Sequence, residues 1–92
     1  MVTESPRAST AQDDELLAHV GRLRADAELM DGYARRLRAT AATLGTCPTA
    51  PEWSRPVLTG QAAACATAAD RLRSAAEALL IHARGDGPTP VS

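Results

Sequence analysis

Apolar residues recur along the chain in two runs, at steps that alternate strictly between four and three. A spacing that averages about 3.5 residues keeps an apolar stripe on one side of a helix and favours two helices that lie side by side. The first run comprises Leu16, Val20, Leu23, Ala27, Met30, Ala34, Leu37, Ala41 and Leu44. The second run comprises Leu58, Ala62, Cys65, Ala69, Leu72, Ala76, Leu79 and Ala83.

The segment between the two runs, residues 45–56, is rich in Pro, Thr and Gly and cannot continue a helix. The sequence therefore predicts an all-α fold, an antiparallel two-helix hairpin with a heptad seam. We expect a first helix over 11–44, a turn over 45–55 and a second helix over 56–84. Residues 1–10 are expected to be a disordered N-terminal tail, and residues 85–92 a flexible C-terminal tail.

Local signals support these helix ends. Thr10 and Asp13 have the spacing of a capping box, and Gly45 suits the end of the first helix. Ser54 is the expected cap of the second helix, with Pro56 in its first turn. A regular hairpin with these ends pairs Leu44 with Leu58, Leu37 with Cys65, Met30 with Leu72, and Leu23 with Leu79.

A second, weaker apolar stripe lies outside the seam. One interpretation is ordinary scatter of apolar residues on a surface. We favour the other, in which the stripe is the face that completes a four-helix bundle by dimerisation, because so small a monomer buries little apolar area. The stripe comprises Leu17, Leu29 and Tyr33 on the first helix, and Ala68, Ala75, Leu80 and Ile81 on the second.

The charge of the chain narrows the classes of partner. The formal net charge is −1, whereas proteins that bind nucleic acid or anionic membranes carry a basic excess. The densest basic group, Arg35, Arg36 and Arg38, lacks interleaved aromatic residues and is interpreted as a solvated helix face. We therefore expect no nucleic-acid partner and no membrane partner.

The composition of the chain indicates the kind of genome that encodes it, and its N-terminal residues indicate where in the cell the protein is expected. All basic residues are arginine, and the chain contains no Lys, Asn or Phe, a bias typical of a high-GC, actinobacterial genome. The N-terminal residues lack the basic start and apolar run of a Sec leader. We expect the protein in the cytoplasm, or secreted by a route that does not use a Sec signal peptide.

Candidate chemical groups are few. His19 and His82 fall near each other at the open end of the hairpin, but a metal site needs three or four ligands, and the spacing supplies none nearby. The spacing also indicates no catalytic triad and no phosphate-binding loop. We expect no metal site, no cofactor and no enzymatic activity.

The cysteines Cys47 and Cys65 leave two interpretations open. An extended step of about 10 Å from Cys47 reaches the level of Cys65, so a disulfide could join the turn to the second helix. The other interpretation makes Cys65 a small seam residue and Cys47 a thiol of the turn. Trp53, also in the turn, is either an apolar plug over the helix ends or a recognition anchor.

The segment PEWSRPVLTGQAAACATAADRL, taken with the hairpin, resembles the WXG-type small helical-hairpin proteins of type VII (ESX) secretion systems. The resemblance extends over about residues 12–84. In that family a Trp-x-Gly motif lies in the turn and small residues follow it. Two alignments of the motif stay open: Trp53 is the family tryptophan with residues inserted before Gly60, or Leu58 replaces it.

The resemblance implies a non-enzymatic substrate, dimer partner or adaptor of a type VII secretion system, paired with an identical or a different hairpin and in contact with the secretion machinery. The family's export signal, Tyr-x-x-x-Asp/Glu after the second helix, is absent, and Tyr33 is the only tyrosine. Family members without the signal travel with a partner that carries it. The alternative is a cytoplasmic protein-protein interaction module, a regulatory or toxin-neutralising partner unrelated to secretion.

Overall fold

The computed structural model describes residues 6–85, with side chains described from residue 11 onward. Within this range the chain forms two helices, α1 (Pro6–Gly45) and α2 (Ser54–Ala83), which pack against each other. The predicted all-α helical hairpin is confirmed. The outer parts of the two predicted tails, residues 1–5 and 86–92, lie outside the described residues.

Helix α1 begins at Pro6, earlier than the predicted start at residue 11. Proline suits a first helical position because its missing N–H has no partner there in any case. The residues that follow contain no helix breaker, so the helix extends back through the predicted tail. Thr10 and Asp13 therefore lie inside α1, and the expected capping box does not mark its start.

The connection between the helices is a series of tight turns. The amide of Cys47 donates to the carbonyl of Leu44 at 3.0 Å, and the amide of Ala50 donates to the carbonyl of Cys47 at 3.2 Å. The amide of Ser54 then donates to the carbonyl of Pro51 at 3.1 Å. The first and the last of these bonds satisfy backbone groups that the helix ends leave unpaired.

The expected cap of α2 at Ser54 is wrong. Trp53 holds the N-cap position without a side-chain cap, and Ser54 is the first helical residue. The Ser54 hydroxyl instead donates backwards to the carbonyl of Pro51. At the other end of α2, Gly85 has a φ of 73°, a left-handed conformation that ends the helix as glycine commonly does.

The core between the helices consists almost entirely of alanine. Among the residues with described side chains, no large side chain is fully buried. The buried apolar residues recur at every seventh position of each helix, and they are Val20, Ala27, Ala34, Ala41, Ala62, Ala69 and Ala76. The other seam residues are only half-buried, namely Leu16, Leu23, Met30, Leu37, Leu44, Leu58, Cys65, Leu72, Leu79 and Ala83.

This division follows from side-chain size. A methyl group at the contact lets two helix axes approach to the short end of the usual range of about 8–10 Å. At that distance the longer leucine and methionine side chains do not fit between the backbones and lie along one edge of the contact. Alanine side chains therefore form the contact between the helices, and the larger seam residues lie beside this contact.

An ion pair across the hairpin agrees with the predicted pairing of the helices. The guanidinium of Arg73 on α2 lies 3.2 Å from the carboxylate of Glu28 on α1 and also binds Asp31. Met30 and Leu72, which the sequence pairs, line one groove together. The two helices are therefore antiparallel and in the expected register.

The alanine contact predicts that a larger side chain destabilises the hairpin where it replaces a buried alanine, but not where it replaces an exposed one. Ala27 is fully buried, so Ala27→Leu should lower the free energy of unfolding by about 1–3 kcal/mol through overpacking. Ala18 is exposed on the other side of the same helix, and Ala18→Leu should change it by less than about 0.5 kcal/mol. Urea unfolding at one protein concentration, followed by circular dichroism, measures both. Equal losses in the two variants would contradict the close contact.

Candidate functional site

The half-buried leucines and methionine lie along one side of the hairpin, and exposed apolar side chains flank them there. On a helix, residues three and four positions apart lie on the same side. For Met30 these include Asp26 and Tyr33, and for Leu72 they include Ala68 and Ala75. Leu29 lines the same groove as Met30 and Leu72. We call the resulting surface the apolar face; its members are Asp26, Leu29, Met30, Tyr33, Val57, Leu58, Ala64, Ala68, Arg71, Leu72 and Ala75.

A groove of about 630 Å³ runs along the middle of the apolar face, between the two helices. Its floor is apolar and contains Met30 and Leu72. Its two charged residues lie on different helices, Asp26 on α1 and Arg71 on α2. The remaining lining residues are Leu29, Ala64, Thr67 and Ala68.

Three large apolar side chains of this face are exposed to solvent. Leu29 is 53% exposed, Tyr33 41% and Val57 46%. The guanidinium of Arg36 lies over the Tyr33 ring, 5.4 Å from its centroid. The sequence interpretation missed Val57, although it precedes Leu58 by one position as Leu29 precedes Met30.

The opposite side of the hairpin is charged. It carries the ion pairs from Arg73 to Asp31 and Glu28. The hydrogen bond to Asp31, followed by the one to Glu28, raises the pKa of Arg73 above its ordinary value. Further charged residues, Arg24 and Glu77, line a groove of about 410 Å³ there. We call this side the charged face.

The structure divides the predicted partner stripe between the two faces. Leu29 and Tyr33 lie on the apolar face, together with Ala68 and Ala75. Leu17 lies about 120° around α1 from Leu29, on the side of the charged face. On α2, Ile81 lines a groove with Arg73 on that side, and Leu80 is half-buried. A single flat partner therefore cannot cover the whole stripe, and its role at an interface stays a prediction.

The three predicted turn-motif residues do not form one cluster. Trp53 is 66% exposed, so it is not a plug over the helix ends. Leu58 is half-buried at the start of the α2 seam. Gly60 lines a groove of about 770 Å³ beside the turn, and a Cβ added to it would meet nothing within 4 Å. Close packing inside the hairpin therefore does not require a glycine at this position.

The two cysteines are free thiols, and the disulfide between Cys47 and Cys65 is not formed. Cys65 lies well inside α2, about 16 Å along the helix from Ser54, where the turn ends. Cys47 is exposed, and its Sγ atom lies 3.3 Å from the Thr49 hydroxyl. That hydrogen bond, with the backbone of Thr49, lowers the pKa of the Cys47 thiol below its ordinary value.

His19 contacts an arginine one turn further along α1. The Nδ1 atom of His19 lies 3.2 Å from a guanidinium nitrogen of Arg22. Within the described residues, no group of three or more His, Cys, Asp and Glu side chains could hold a metal ion.

Over residues 6–85, neither helix combines the length and the apolar character that crossing a membrane requires.

The Thr49 contact predicts the reactivity of Cys47. In a Cys65→Ser background, Thr49→Val removes a hydrogen bond to the thiolate, so the pKa of Cys47 should rise and alkylation at neutral pH should slow. Thr46→Val is the control, because the Thr46 hydroxyl donates to the carbonyl of Thr43 instead. Iodoacetamide rates measured against pH test this. An unchanged profile in Thr49→Val would contradict it.

Comparisons of the chain with protein-family models, with curated proteins and with solved structures give no match.

Proposed function

We propose that the chain is a non-enzymatic helical-hairpin protein that acts by burying its apolar face against a second helical hairpin, as a substrate, dimer partner or adaptor of a type VII secretion system. The observation that carries this proposal is the apolar face itself. Leu29 and Tyr33 are exposed beside the half-buried Met30 and Leu72, and Val57 is exposed beside Leu58, nearer the turn. Contiguous apolar surfaces of this kind mark interaction sites on small proteins.

The small core supports the same conclusion. Apolar burial contributes about 25 cal/mol per Å², and an alanine methyl group offers little area. Domains of this size commonly need a disulfide, a metal or oligomerisation in addition to their core. Burial of the half-buried leucines against a partner would add the apolar area that this core lacks. A second hairpin would complete a four-helix bundle and cover the half-buried leucines.

The assignment to secretion depends on the resemblance to WXG-type proteins. Support comes from the hairpin and from the small residues that follow the turn, Gly60, Ala62 and Ala63. Trp53 is exposed in the turn, where an aromatic side chain can act as an anchor for another protein. The protein would then be made in the cytoplasm and exported without a Sec signal peptide, as one member of a pair.

A cytoplasmic interaction module, with a regulatory or toxin-neutralising role, is the second candidate. The apolar face supports this candidate as well, because an exposed apolar patch marks an interaction site whatever the partner is. In this case the apolar face binds one unrelated protein and the chain is never exported. The two candidates share the surface and differ in the partner and the location.

A matched pair of substitutions tests the apolar face. Leu29 and Leu17 lie on the same helix with exposures of 53% and 50%, but only Leu29 is on the apolar face. Leu29→Glu should weaken association by at least about tenfold, or 1.4 kcal/mol, because it buries an unpaired charge. Leu17→Glu should leave association unchanged. Light scattering after size exclusion, over a range of concentrations, gives the masses.

The starting protein should have twice the mass of 9.6 kDa in this experiment. A monomer at all concentrations would rule out pairing of identical chains and direct the search to a different hairpin, by capture from lysate with Leu29→Glu as the negative control. Equal weakening by the two glutamates would contradict the assignment of the interface to the apolar face.

The secretion role predicts that export depends on the type VII machinery. A tagged chain expressed in an actinobacterial host should reach the culture medium when the secretion ATPase is present and remain in the cells when it is deleted. Leu29→Glu should also be retained, because it cannot pair. Retention of the unaltered chain in both hosts, together with a tight cytoplasmic complex, would favour the second candidate.

A further inference from the structure

We propose that the charged face, where it approaches the turn, is a docking surface for a short acidic segment of a partner protein, bound in an extended conformation. Three arginines would bind the carboxylates of this segment, and the groove beside the turn would bind an apolar side chain between them. The arginines are Arg35, Arg38 and Arg55. This surface lies apart from the apolar face, so the inference goes beyond the proposed pairing of hairpins and does not depend on it.

Charge is distributed unevenly along the hairpin. The half next to the turn, residues 33–69, contains four arginines and one acidic residue, Glu52. The other residues with described side chains contain eight acidic residues and five arginines. The net charge of −1 therefore combines a positive half beside the turn with a negative half at the open end. The positive half attracts acidic partners.

Helical spacing places two of the arginines on the charged face. Asp31, Arg38 and Gly45 are spaced by seven residues, about two helical turns, so they lie on one side of α1. Asp31 binds Arg73 on the charged face, and Gly45 lines the groove of about 770 Å³ beside the turn. Arg38 therefore lies between these two places. Arg35 lies one turn from Arg38, toward Asp31.

The third arginine reaches the same groove from α2. The guanidinium carbon of Arg55 lies 3.4 Å from the place that a Cβ on Gly45 would occupy, so its charge lies where α1 ends. All three arginines are exposed. Among the residues with described side chains, none of the three forms an ion pair with an acidic residue. Their charges are therefore available to a partner.

The groove supplies the apolar part of the surface. Leu44, Pro56 and Ala63 contribute to its lining, and Ala63 is nearly level with Arg38 in the register of the hairpin. Exposed charges alone contribute little to affinity, whereas an apolar side chain in a groove gains from burial. This combination favours a peptide over a nucleic acid, which has no apolar side chain to place there. It also favours a peptide over a bilayer surface, which does not enter a groove.

The distances suit an extended segment. Arg38 and Gly45, where the Arg55 guanidinium lies, are about 10 Å apart along α1. In an extended chain alternate side chains point the same way, and positions four apart are separated by about 13 Å. The long arginine side chains cover the difference. The surface therefore fits two acidic residues four positions apart, with an apolar residue midway between them.

Synthetic peptides test the occupant. The first, Ser-Glu-Ser-Leu-Ser-Glu-Ser with blocked ends, has the expected pattern, and the second replaces both glutamates by glutamine. In NMR titrations of the full chain, the first should shift the amide signals of Thr59, Gly60 and Ala63, which line the groove. It should bind at least about fourfold more tightly than the second, because two charge pairs are formed. High salt should remove most of this difference.

A third peptide tests the groove. Replacing the leucine of the first peptide by serine should weaken binding by about fivefold, because the apolar side chain is no longer buried. Equal binding of the glutamine peptide and the first peptide would overturn the role of the arginines. Equal binding of the serine peptide would overturn the role of the groove.

A matched pair of arginine variants tests the surface. Arg38→Gln should weaken binding of the first peptide by about twofold to fivefold, because one charge pair is lost. Arg36→Gln should leave binding unchanged, because Arg36 carries the same charge on the same helix but lies over the Tyr33 ring. Glu52→Gln should strengthen binding, because Glu52 lines the groove and repels carboxylates. Equal losses in the two arginine variants would overturn the proposed surface.

The outcomes separate this inference from the proposed function. Leu29→Glu, which should disrupt pairing through the apolar face, should bind the first peptide as the unaltered chain does. Loss of binding in this variant would place the peptide on the apolar face and overturn the inference. If the peptide does not bind, but phosphatidylglycerol vesicles or an oligonucleotide bind in a way that depends on Arg38, a peptide is not the occupant. Neither result bears on the pairing of hairpins.

Discussion

The close contact of alanine with alanine along two antiparallel helices is the constraint on which the rest of the structure depends. Small side chains at every seventh position of α1 and α2 are the ones that become buried, with Val20 the one larger exception. Because the backbones lie so near each other, leucine and methionine cannot enter the space between them. The contact thus fixes the fold and also decides which side chains remain outside it.

The excluded side chains give the hairpin two unlike sides. On one side, Met30 and Leu72 flank a groove and the exposed Leu29 and Tyr33 extend it. On the other side, Arg73 binds Asp31 and Glu28, an ion pair that joins the two helices at the register the seam sets. One side therefore stabilises the hairpin itself, and the other retains the apolar area that a partner can bury. The proposed association rests on this difference between the two sides.

The sequence was sufficient to predict the hairpin, its register and the alanine and leucine positions of the seam, because heptad spacing determines them. It did not separate the buried seam residues from the half-buried ones, since that depends on how closely the axes approach. It grouped Leu17 with Leu29 because both are apolar and outside the seam, although helical rotation places them on different sides. The sequence prediction missed Val57, which precedes the seam by one position. It also placed the start of α1 too late, because helix propensity extends the helix past a weak capping signal.

The measurement that tests the central claim most directly is methyl NMR of the unaltered chain during dilution. Met30 lies on the apolar face, and Ile81, the only isoleucine, lies toward the charged face. If the apolar face is an interface between copies, the methyl signal of Met30 should shift as the dimer dissociates while that of Ile81 stays unchanged. A shift at Ile81 with none at Met30 would contradict the account, because the partner would then cover the other side of the hairpin.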